Sequence, residues 1–419
     1  MARRPFDSAQ GGVPSKVEGR RPAAWAITRD VLLLGVSLAL VSQWIVIHQW
    51  LPRGRLGPVW ETVLPGLAIF GAAALLSWGA ELAQLEIAQS LALAGLALVA
   101  VLPEYAVDMY LAWQAARDPS YTAYAAANMT GANRLLIGMG WSAVLLASWA
   151  STRKRAIQVQ PSQRLELRVL LLATCYAFVI PLKRTLSVVD TLYFISLFIF
   201  YIRSASRGHV EEPGLAGPPE RLARLPCAWR RSVTWLLFLL PAYAIFTAAE
   251  PFANGLLHNA KRLGMEEFIL IQWLAPLASE SPEFIVAIIF ALRNNSRAGL
   301  GTLISSKVNQ WTLLVGMLPL VYAISGGHLQ PMPLDARQAE EIFLTAAQSL
   351  LAIVILANLR FGFWEAMLLL GLFVLQFIWP TPAVRMLLGY GYLAVVLAYL
   401  VNRAFRRSLL ALFRFGRIS

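Results

Sequence analysis

The sequence has few charged residues for its length. Only 14% of its 419 residues are Asp, Glu, Lys or Arg, whereas soluble proteins carry about 25%. Hydrophobic residues make up 58% of the chain, and the mean hydropathy is +0.59. The apolar residues form long, repeated runs, so a single membrane anchor does not account for them. The composition therefore predicts a polytopic protein that lies mostly within a lipid bilayer.

Cysteine and histidine are scarce, and nucleotide motifs are missing. Cys175 lies in an apolar run and Cys227 in a polar segment, which supports neither a disulfide framework nor a cysteine metal site. The four histidines are scattered, so a metal centre with histidine ligands is not expected. The sequence contains no G-x-x-x-x-G-K-[ST] motif, which argues against transport driven by ATP. No Ser/His pair or His-metal group suggests catalysis, so we expect no enzyme activity and no cofactor.

The net charge of +13 does not form a stripe that would bind nucleic acid. The basic residues lie between the apolar runs, as topology signals do. Residues 1–30 are basic and polar without the apolar core of a signal peptide, and we predict a cytoplasmic tail. Residues 403–419 alternate Arg with Leu and Phe, which predicts an amphipathic helix on anionic lipid at the cytoplasmic surface.

A helix needs roughly 20 apolar residues to cross the bilayer. Twelve segments are candidates, of which the fifth is short and ends at Pro181. If the N-terminus is cytoplasmic, the inner segments hold 25 Lys and Arg and the outer loops hold 9. This bias fits the positive-inside rule for an even number of spans with both termini in the cytoplasm. The predicted spans cover about 31–50, 59–78, 84–114, 121–149, 168–182, 187–203, 232–250, 267–293, 298–325, 342–359, 362–379 and 384–402.

The longest break between spans, 204–231, is rich in Pro, Gly and Arg and predicts a cytoplasmic linker between halves 31–203 and 232–402. Each half has a long apolar helix interrupted by Pro-Glu, at Leu102-Pro103-Glu104 and at Ser281-Pro282-Glu283. The next helix in each half carries small and polar residues near its middle. Because four spans lie between the two Pro-Glu helices, they run in opposite directions. The halves are therefore predicted to be inverted repeats.

This arrangement predicts an ion site. Proline removes a backbone donor and frees a carbonyl one turn earlier, and transporters place coupling-ion sites at broken helices near the bilayer midplane. A carboxylate beside the break supplies an anionic ligand. Together with carbonyl, hydroxyl and amide oxygens, it forms a shell suited to Ca²⁺, Mg²⁺ or Na⁺.

The two segments resemble the alpha-repeats of the cation/calcium exchanger superfamily, whose pattern runs G-T-S-x-P-E and, farther along, G-N-x-x-G-S-N. The resemblance covers 84–149 and 267–325. It implies an all-α membrane bundle of two inverted five-helix repeats, to which we expect one further helix at each end. It also implies that small cations and protons are the partners of the chain.

The resemblance implies that Glu104 and Glu283 are the two central ion-binding acids. It also implies that Gly131 keeps the glycine of the first motif. Glu280, three residues before Glu283 on the same helix face, is expected to be a further ligand or a proton relay. Four positions, Ala100, Val101, Ala132 and Leu136, lack the usual polar side chains, which argues against a full set of three sodium sites and one calcium site. The remaining implied ligands are Ser279, Asn128, Asn133, Ser306 and Gln310.

Two basic residues, Arg134 and Lys307, fall inside predicted spans, and we expect both to face the polar centre. Asp108 lies four residues after Glu104 on the same face, either as a ligand or proton carrier or as a charge partner of Arg134. Lys307 replaces an amide of the second repeat. We expect its ammonium to lie against Glu280 or Glu283 and to couple cation binding to protons.

These patterns predict a secondary antiporter that exchanges Ca²⁺ or Na⁺ for H⁺ or another cation, in a membrane of the bacterial inner-membrane type. One alternative stays open at this point. The chain could be a non-transporting membrane protein that keeps the exchanger scaffold, with Lys307 and Arg134 neutralising the former site as fixed salt bridges.

Overall fold

The computed structural model describes residues 24–50, 57, 59–83, 85, 102–205, 215 and 217–412. Within these residues, nine helices are long and apolar enough to cross a membrane. A bent pair, Glu267–Glu280 and Glu283–Leu292, makes a tenth candidate, and its two parts meet at 55°. The bend falls at the Pro-Glu of the second repeat, where proline interrupts the hydrogen bonding of the helix. The nine helices are Thr28–Trp50, Trp60–Ala83, Ser120–Thr152, Pro161–Lys183, Val188–Ala205, Cys227–Arg262, Ser296–Gly326, Ala336–Leu356 and Pro382–Val401.

The predicted count of about twelve spans is not confirmed. Phe363–Ile378 is apolar but has only 16 residues. Leu102–Ala115 has 14 residues, and most of the predicted span before it lies outside the described residues. The predicted N-terminal tail and the end of the C-terminal tail also lie largely outside them. A short helix, Arg403–Ala411, occupies the described part of the C-terminal tail.

Two predicted boundaries are wrong. The helix Cys227–Arg262 is 36 residues long and contains Pro241 and Pro251, so it extends far beyond 232–250 and begins inside the predicted linker. The fifth span begins earlier than predicted, at Pro161 rather than near 168, while its end at Lys183 lies next to the predicted one. Membrane helices tolerate such prolines because neighbouring helices and local adjustments satisfy the freed backbone groups.

Two strand pairs, which were not predicted, connect loops that are far apart in sequence. Strand β1 (Ala156–Gln158) pairs with β4 (Arg360–Gly362), and β2 (Thr185–Leu186) pairs with β3 (Met332–Pro333). Paired loops must lie on one side of a membrane. Each pair therefore requires an even number of crossings between its strands. One span, Pro161–Lys183, separates β1 from β2, so the two pairs mark opposite sides.

Hydrogen bonds at the helix ends establish the inversion of the repeats. The Ser325 hydroxyl donates to the Trp113 carbonyl over 2.7 Å, so Leu102–Ala115 ends on the side of β3. The Ser151 hydroxyl donates to the Ala291 carbonyl over 3.4 Å, so Glu267–Leu292 ends on the side of β1. The two Pro-Glu helices therefore run in opposite directions, as predicted.

Four helices carry the predicted site residues. We call them the Glu104 helix (Leu102–Ala115), the Asn128 helix (Ser120–Leu135), the Glu283 helix (Glu267–Leu292) and the Lys307 helix (Ser296–Asn309). The Asn128 and Lys307 helices continue into π-helical turns, Leu136–Trp141 and Gln310–Leu314. Such turns are rare and frequent at functional sites. Here they occupy matching places in the two repeats, beside the polar centre.

Candidate cation site

Four acids lie at the centre of the bundle, and we call them the acidic cluster: Glu104, Asp108, Glu280 and Glu283. Glu104 is 4% exposed, Asp108 0% and Glu280 2%, whereas Glu283 is partly buried. Glu104 lies close enough to Asp108 and Glu283 to interact electrostatically, and Glu280 interacts with both Glu104 and Glu283. The acids predicted in the two repeats are thus brought together across the repeat interface.

Several buried oxygens of the centre accept no hydrogen bond from any described residue. Three belong to the acidic cluster: Glu104 Oε1, Asp108 Oδ2 and Glu280 Oε2. Two more are the amide oxygens Asn128 Oδ1 and Gln310 Oε1. Buried polar groups are nearly always partnered, so five in one place call for an explanation. All five are hard oxygen ligands of the type that Ca²⁺ prefers.

Amide and hydroxyl donors hold the acids in place. Asn128 Nδ2 donates to Asp108 Oδ1 over 2.9 Å, and Gln310 Nε2 donates to Glu280 Oε1 over 3.0 Å. The Ser306 hydroxyl donates to Glu283. The N–H of each amide thus donates to one carboxylate oxygen. The oxygen of each amide accepts no hydrogen bond from a described residue. The arrangement concentrates acceptors rather than donors, as a cation site requires.

Two other predicted ligands are engaged differently. The Ser279 hydroxyl donates back to its own helix, to the carbonyls of Ala275 and Pro276 over 3.2 and 3.3 Å. Asn133 Nδ2 likewise donates to the Met129 carbonyl over 2.8 Å. The amide oxygen of Asn133 already accepts a hydrogen bond from Lys307 over 2.6 Å. The Asn133 amide oxygen is therefore already hydrogen-bonded to Lys307 in this structure and is not free to bind a cation.

Arg134 does not belong to the acidic cluster, and its predicted pairing with Asp108 is wrong. Its guanidinium pairs with Glu341 over 2.5 Å and donates to Gln376 Oε1 over 3.2 Å. Six residues of helix rotate Arg134 about 240° away from Asn128, toward the helix Ala336–Leu356. The sequence does not point to Glu341, because this residue lies next to the predicted start of an apolar span, where acids are usually solvated.

Lys307 lies near the acidic cluster but does not form the predicted ion pair. It is 1% exposed, and in the described part of the chain no carboxylate oxygen comes within 4.0 Å of its ammonium. Glu280 and Glu104 are near enough to attract it electrostatically. Its contacts are the Asn133 amide oxygen and the ring of Trp311, whose centroid is 4.4 Å from Nζ.

The acidic cluster is not a closed metal cage. Among the described residues, no group of three or more His, Cys, Asp or Glu side chains could hold a metal ion. A bound cation would therefore need amide and hydroxyl oxygens as well as carboxylates. Coordination that includes neutral oxygens lowers the affinity for a divalent cation.

Outside the spans, Asp118 stabilises the entry to the Asn128 helix. The backbone N–H and the hydroxyl of Ser120 donate to Asp118 Oδ1 over 3.0 and 2.8 Å. These hydrogen bonds lower the pKa of Asp118 from its ordinary value, because they favour the ionised carboxylate.

Comparison with known proteins identifies the family of this chain. A profile described as sodium/calcium exchanger protein matches residues 58–205 and 233–381, one stretch in each half. The chain belongs to this family. The prediction from the alpha-repeats is thus confirmed, together with an all-α fold of polytopic membrane type. Membership of an exchanger family and the apolar helices support an integral membrane protein.

Three solved structures illustrate the similarity. A crystal structure described as the H⁺/Ca²⁺ exchanger CAX is 43% identical, with a TM-score of 0.88, and the match covers 92% of this chain and 97% of that one. The sodium-calcium exchanger NCX_Mj is 19% identical, with a TM-score of 0.52 and coverage of 77% and 98%. Native YfkE is 15% identical, with a TM-score of 0.59 and coverage of 86% and 99%. The last two show the fold alone. Among curated proteins, no sequence matches this chain.

Proposed function

We propose that this chain exchanges Ca²⁺ for H⁺ at the acidic cluster by alternating access between its two repeats. The observation that carries the proposal is a set of five buried oxygens for which the described part of the chain supplies no hydrogen-bond donor, contributed by Glu104, Asp108, Asn128, Glu280 and Gln310. They come from both repeats, so a rocking motion of one repeat against the other would open the site to each side in turn. The similarity to the H⁺/Ca²⁺ exchanger CAX favours this ion pair over Na⁺.

Charge arithmetic explains why protons would be the counter-ion. The cluster holds four carboxyl groups, and a buried carboxylate without a counter-ion is costly at membrane depth. With the positive charge of Lys307 nearby, the centre comes closest to neutral in two forms, either with a divalent cation bound or with two further protons on the acids in its place. A carrier that changes side only in these two forms exchanges one ion for the other.

The contacts of the two buried cations disfavour the non-transporting alternative. That alternative needs Arg134 and Lys307 to neutralise the acids as fixed salt bridges. Arg134 is instead paired with Glu341, and Lys307 donates to the neutral Asn133 amide. The acids thus keep their free oxygens, which supports a working site. Ser279, Ser306 and Asn133 belong to this proposal as adjacent polar groups.

The orientation in the membrane is also part of the proposal. With both termini and the linker 204–231 in the cytoplasm, the β1–β4 pair lies on the inner side and the β2–β3 pair on the outer side. The positive-inside bias supports this orientation, in a membrane of the bacterial inner-membrane type.

The test is ion flux in proteoliposomes that contain the full chain. With an imposed pH gradient, we expect Ca²⁺ uptake that Na⁺ and K⁺ gradients do not replace. Glu104→Gln should abolish it, because a hard cation needs the anionic oxygen. Glu220→Gln, in the linker, is the control and should transport like the parent. Parent protein that is folded but moves no Ca²⁺ under any gradient would contradict the proposal.

A further inference from the structure

We propose that the Lys307 ammonium is a tethered cation that permanently occupies a second cation subsite, formed by Asn133 and Trp311. The chain would then bind a single substrate cation beside it and would need no sodium ion. This inference rests on the proposed exchange of cations at the acidic cluster and assigns the specificity of that site.

The surroundings of the ammonium resemble a binding site for a small monovalent cation. Lys307 Nζ is 2.6 Å from the Asn133 amide oxygen and 3.4 Å from the Asn133 main-chain oxygen. The face of the Trp311 ring lies 4.4 Å away, within the range of a cation–π interaction. The Trp311 N–H donates to the Thr174 hydroxyl over 3.2 Å, which fixes the ring. Two oxygens and a ring face are neutral groups that attract a cation without requiring a specific acid.

The repeat symmetry supports the idea that this place is a subsite. Asn133 lies three residues before the π-helical turn that begins at Leu136, and Lys307 lies three residues before the one that begins at Gln310. Equivalent positions of the two inverted repeats therefore meet here. Two amides at these positions would offer two side-chain oxygens to an ion, whereas a lysine replaces one oxygen and brings the charge itself.

The electrostatic role of Lys307 is that of a bound ion rather than of a salt bridge. No carboxylate oxygen of the described residues lies within 4.0 Å of its ammonium, yet Glu280 and Glu104 feel its charge. The other buried cation nearby, Arg134, is committed to Glu341. Lys307 thus adds one positive charge beside the acidic cluster, as a bound Na⁺ would.

The side chains around this place offer few other ligands for a mobile ion. Ala132 and Leu136 are fully buried on either side of Asn133, and neither has an oxygen in its side chain. Because the Asn133 amide oxygen already accepts from Lys307, a sodium ion at this place would have to displace the ammonium. Lys307 is therefore the specificity determinant of the centre.

The test is equilibrium binding of ²²Na⁺ and ⁴⁵Ca²⁺ to the purified full chain. The parent should bind Ca²⁺ and no Na⁺, and Na⁺ should leave Ca²⁺ binding unchanged. In Lys307→Asn, which restores an amide, one Na⁺ per chain should bind, and Ca²⁺ exchange should become dependent on Na⁺. Lys307→Arg, which keeps the positive charge at this place, should bind no Na⁺ either. Lys154→Met removes an exposed lysine between the helix Ser120–Thr152 and strand β1, away from the centre, and is the matched control.

Two results would overturn the inference. One is a Lys307→Asn variant that binds Ca²⁺ but binds no more Na⁺ than the parent does. The other is parent protein in which Na⁺ competes with Ca²⁺, and this comparison decides the matter even if the asparagine variant does not fold. Folded parent protein that binds no Ca²⁺ would refute the proposed function instead. The Na⁺ comparison between parent and variant would still judge the subsite.

Discussion

Replacement of Gly131 by alanine should push apart the two helices that hold the site. Gly131, on the Asn128 helix, faces the backbone of the Glu283 helix. A Cβ at this position would lie 1.8 Å from the Gln272 carbonyl oxygen and 2.7 Å from its carbon. Ordinary contacts begin at 3.4 Å, so the helices would have to separate locally by about 1.6 Å, the difference between the two distances.

The cost follows from the nature of the obstacle. Overpacking a well-packed core costs about 1–3 kcal/mol, and a main-chain atom cannot rotate away, so we expect Gly131→Ala to lie near 3 kcal/mol. The helices that separate carry Asn128 on one side and Glu280 and Glu283 on the other. Ca²⁺ affinity should therefore fall as well, and even half of that energy corresponds to about tenfold.

Two alanine variants serve as matched controls. A Cβ at Gly301 would meet the side chain of Gln163, with Nε2 at 2.4 Å, and a side chain can turn aside where a main-chain carbonyl cannot. A Cβ at Gly371 would meet nothing within 4 Å. The assay is thermal unfolding in detergent together with Ca²⁺ uptake in proteoliposomes. If Gly131→Ala unfolds and transports like Gly371→Ala, the close approach of these helices is not what shapes the site.

Three further predictions concern other parts of the chain. Glu283→Gln should abolish Ca²⁺ exchange at unchanged expression and thermal stability, since the fold loses a buried charge while the ion loses a ligand; normal uptake would show that Glu283 is structural. Arg134→Leu or Glu341→Leu alone should cost about 3–5 kcal/mol by leaving a buried charge, and the double variant should regain much of that loss; additive losses in thermal unfolding would contradict the pairing. Asp118 has a lowered pKa in the folded chain, so its contribution to stability is complete above the pKa of the unfolded chain and is lost as the pH falls through the pKa of the folded chain. The melting temperatures of Asp118→Asn and the parent should therefore differ near neutral pH and converge in acid. A difference that stays constant with pH would refute this.

The sequence could predict the centre of the site because two features are repeated. Glu104 and Glu283 each follow a proline in a long apolar run, and intramembrane acids are costly enough to be functional as a rule. The all-α fold and the inversion follow from hydropathy and parity. These conclusions need only the order of residues along each helix, which the sequence contains.

The partners of individual side chains could not be predicted in the same way. Arg134 was assigned to the polar centre, yet it turns to Glu341, because the packing of the helix Ala336–Leu356 decides which face of the Asn128 helix meets an acid. Lys307 lies beside the acidic cluster, but its predicted contact with an acid is wrong, since an amide oxygen and a ring face also attract an ammonium. The predicted span 232–250 ends too early, since the helix Cys227–Arg262 continues through Pro251.

Proton release on Ca²⁺ binding tests most directly the claim that both ions share the acidic cluster. Ca²⁺ is added to the purified full chain in weakly buffered detergent solution, and the pH and bound ⁴⁵Ca²⁺ are recorded together. We expect the medium to acidify in proportion to the bound Ca²⁺. Both the pH change and the bound ⁴⁵Ca²⁺ should disappear in the Glu104→Gln and Glu283→Gln variants. Ca²⁺ binding without proton release, or undiminished binding in both glutamine variants, would contradict it.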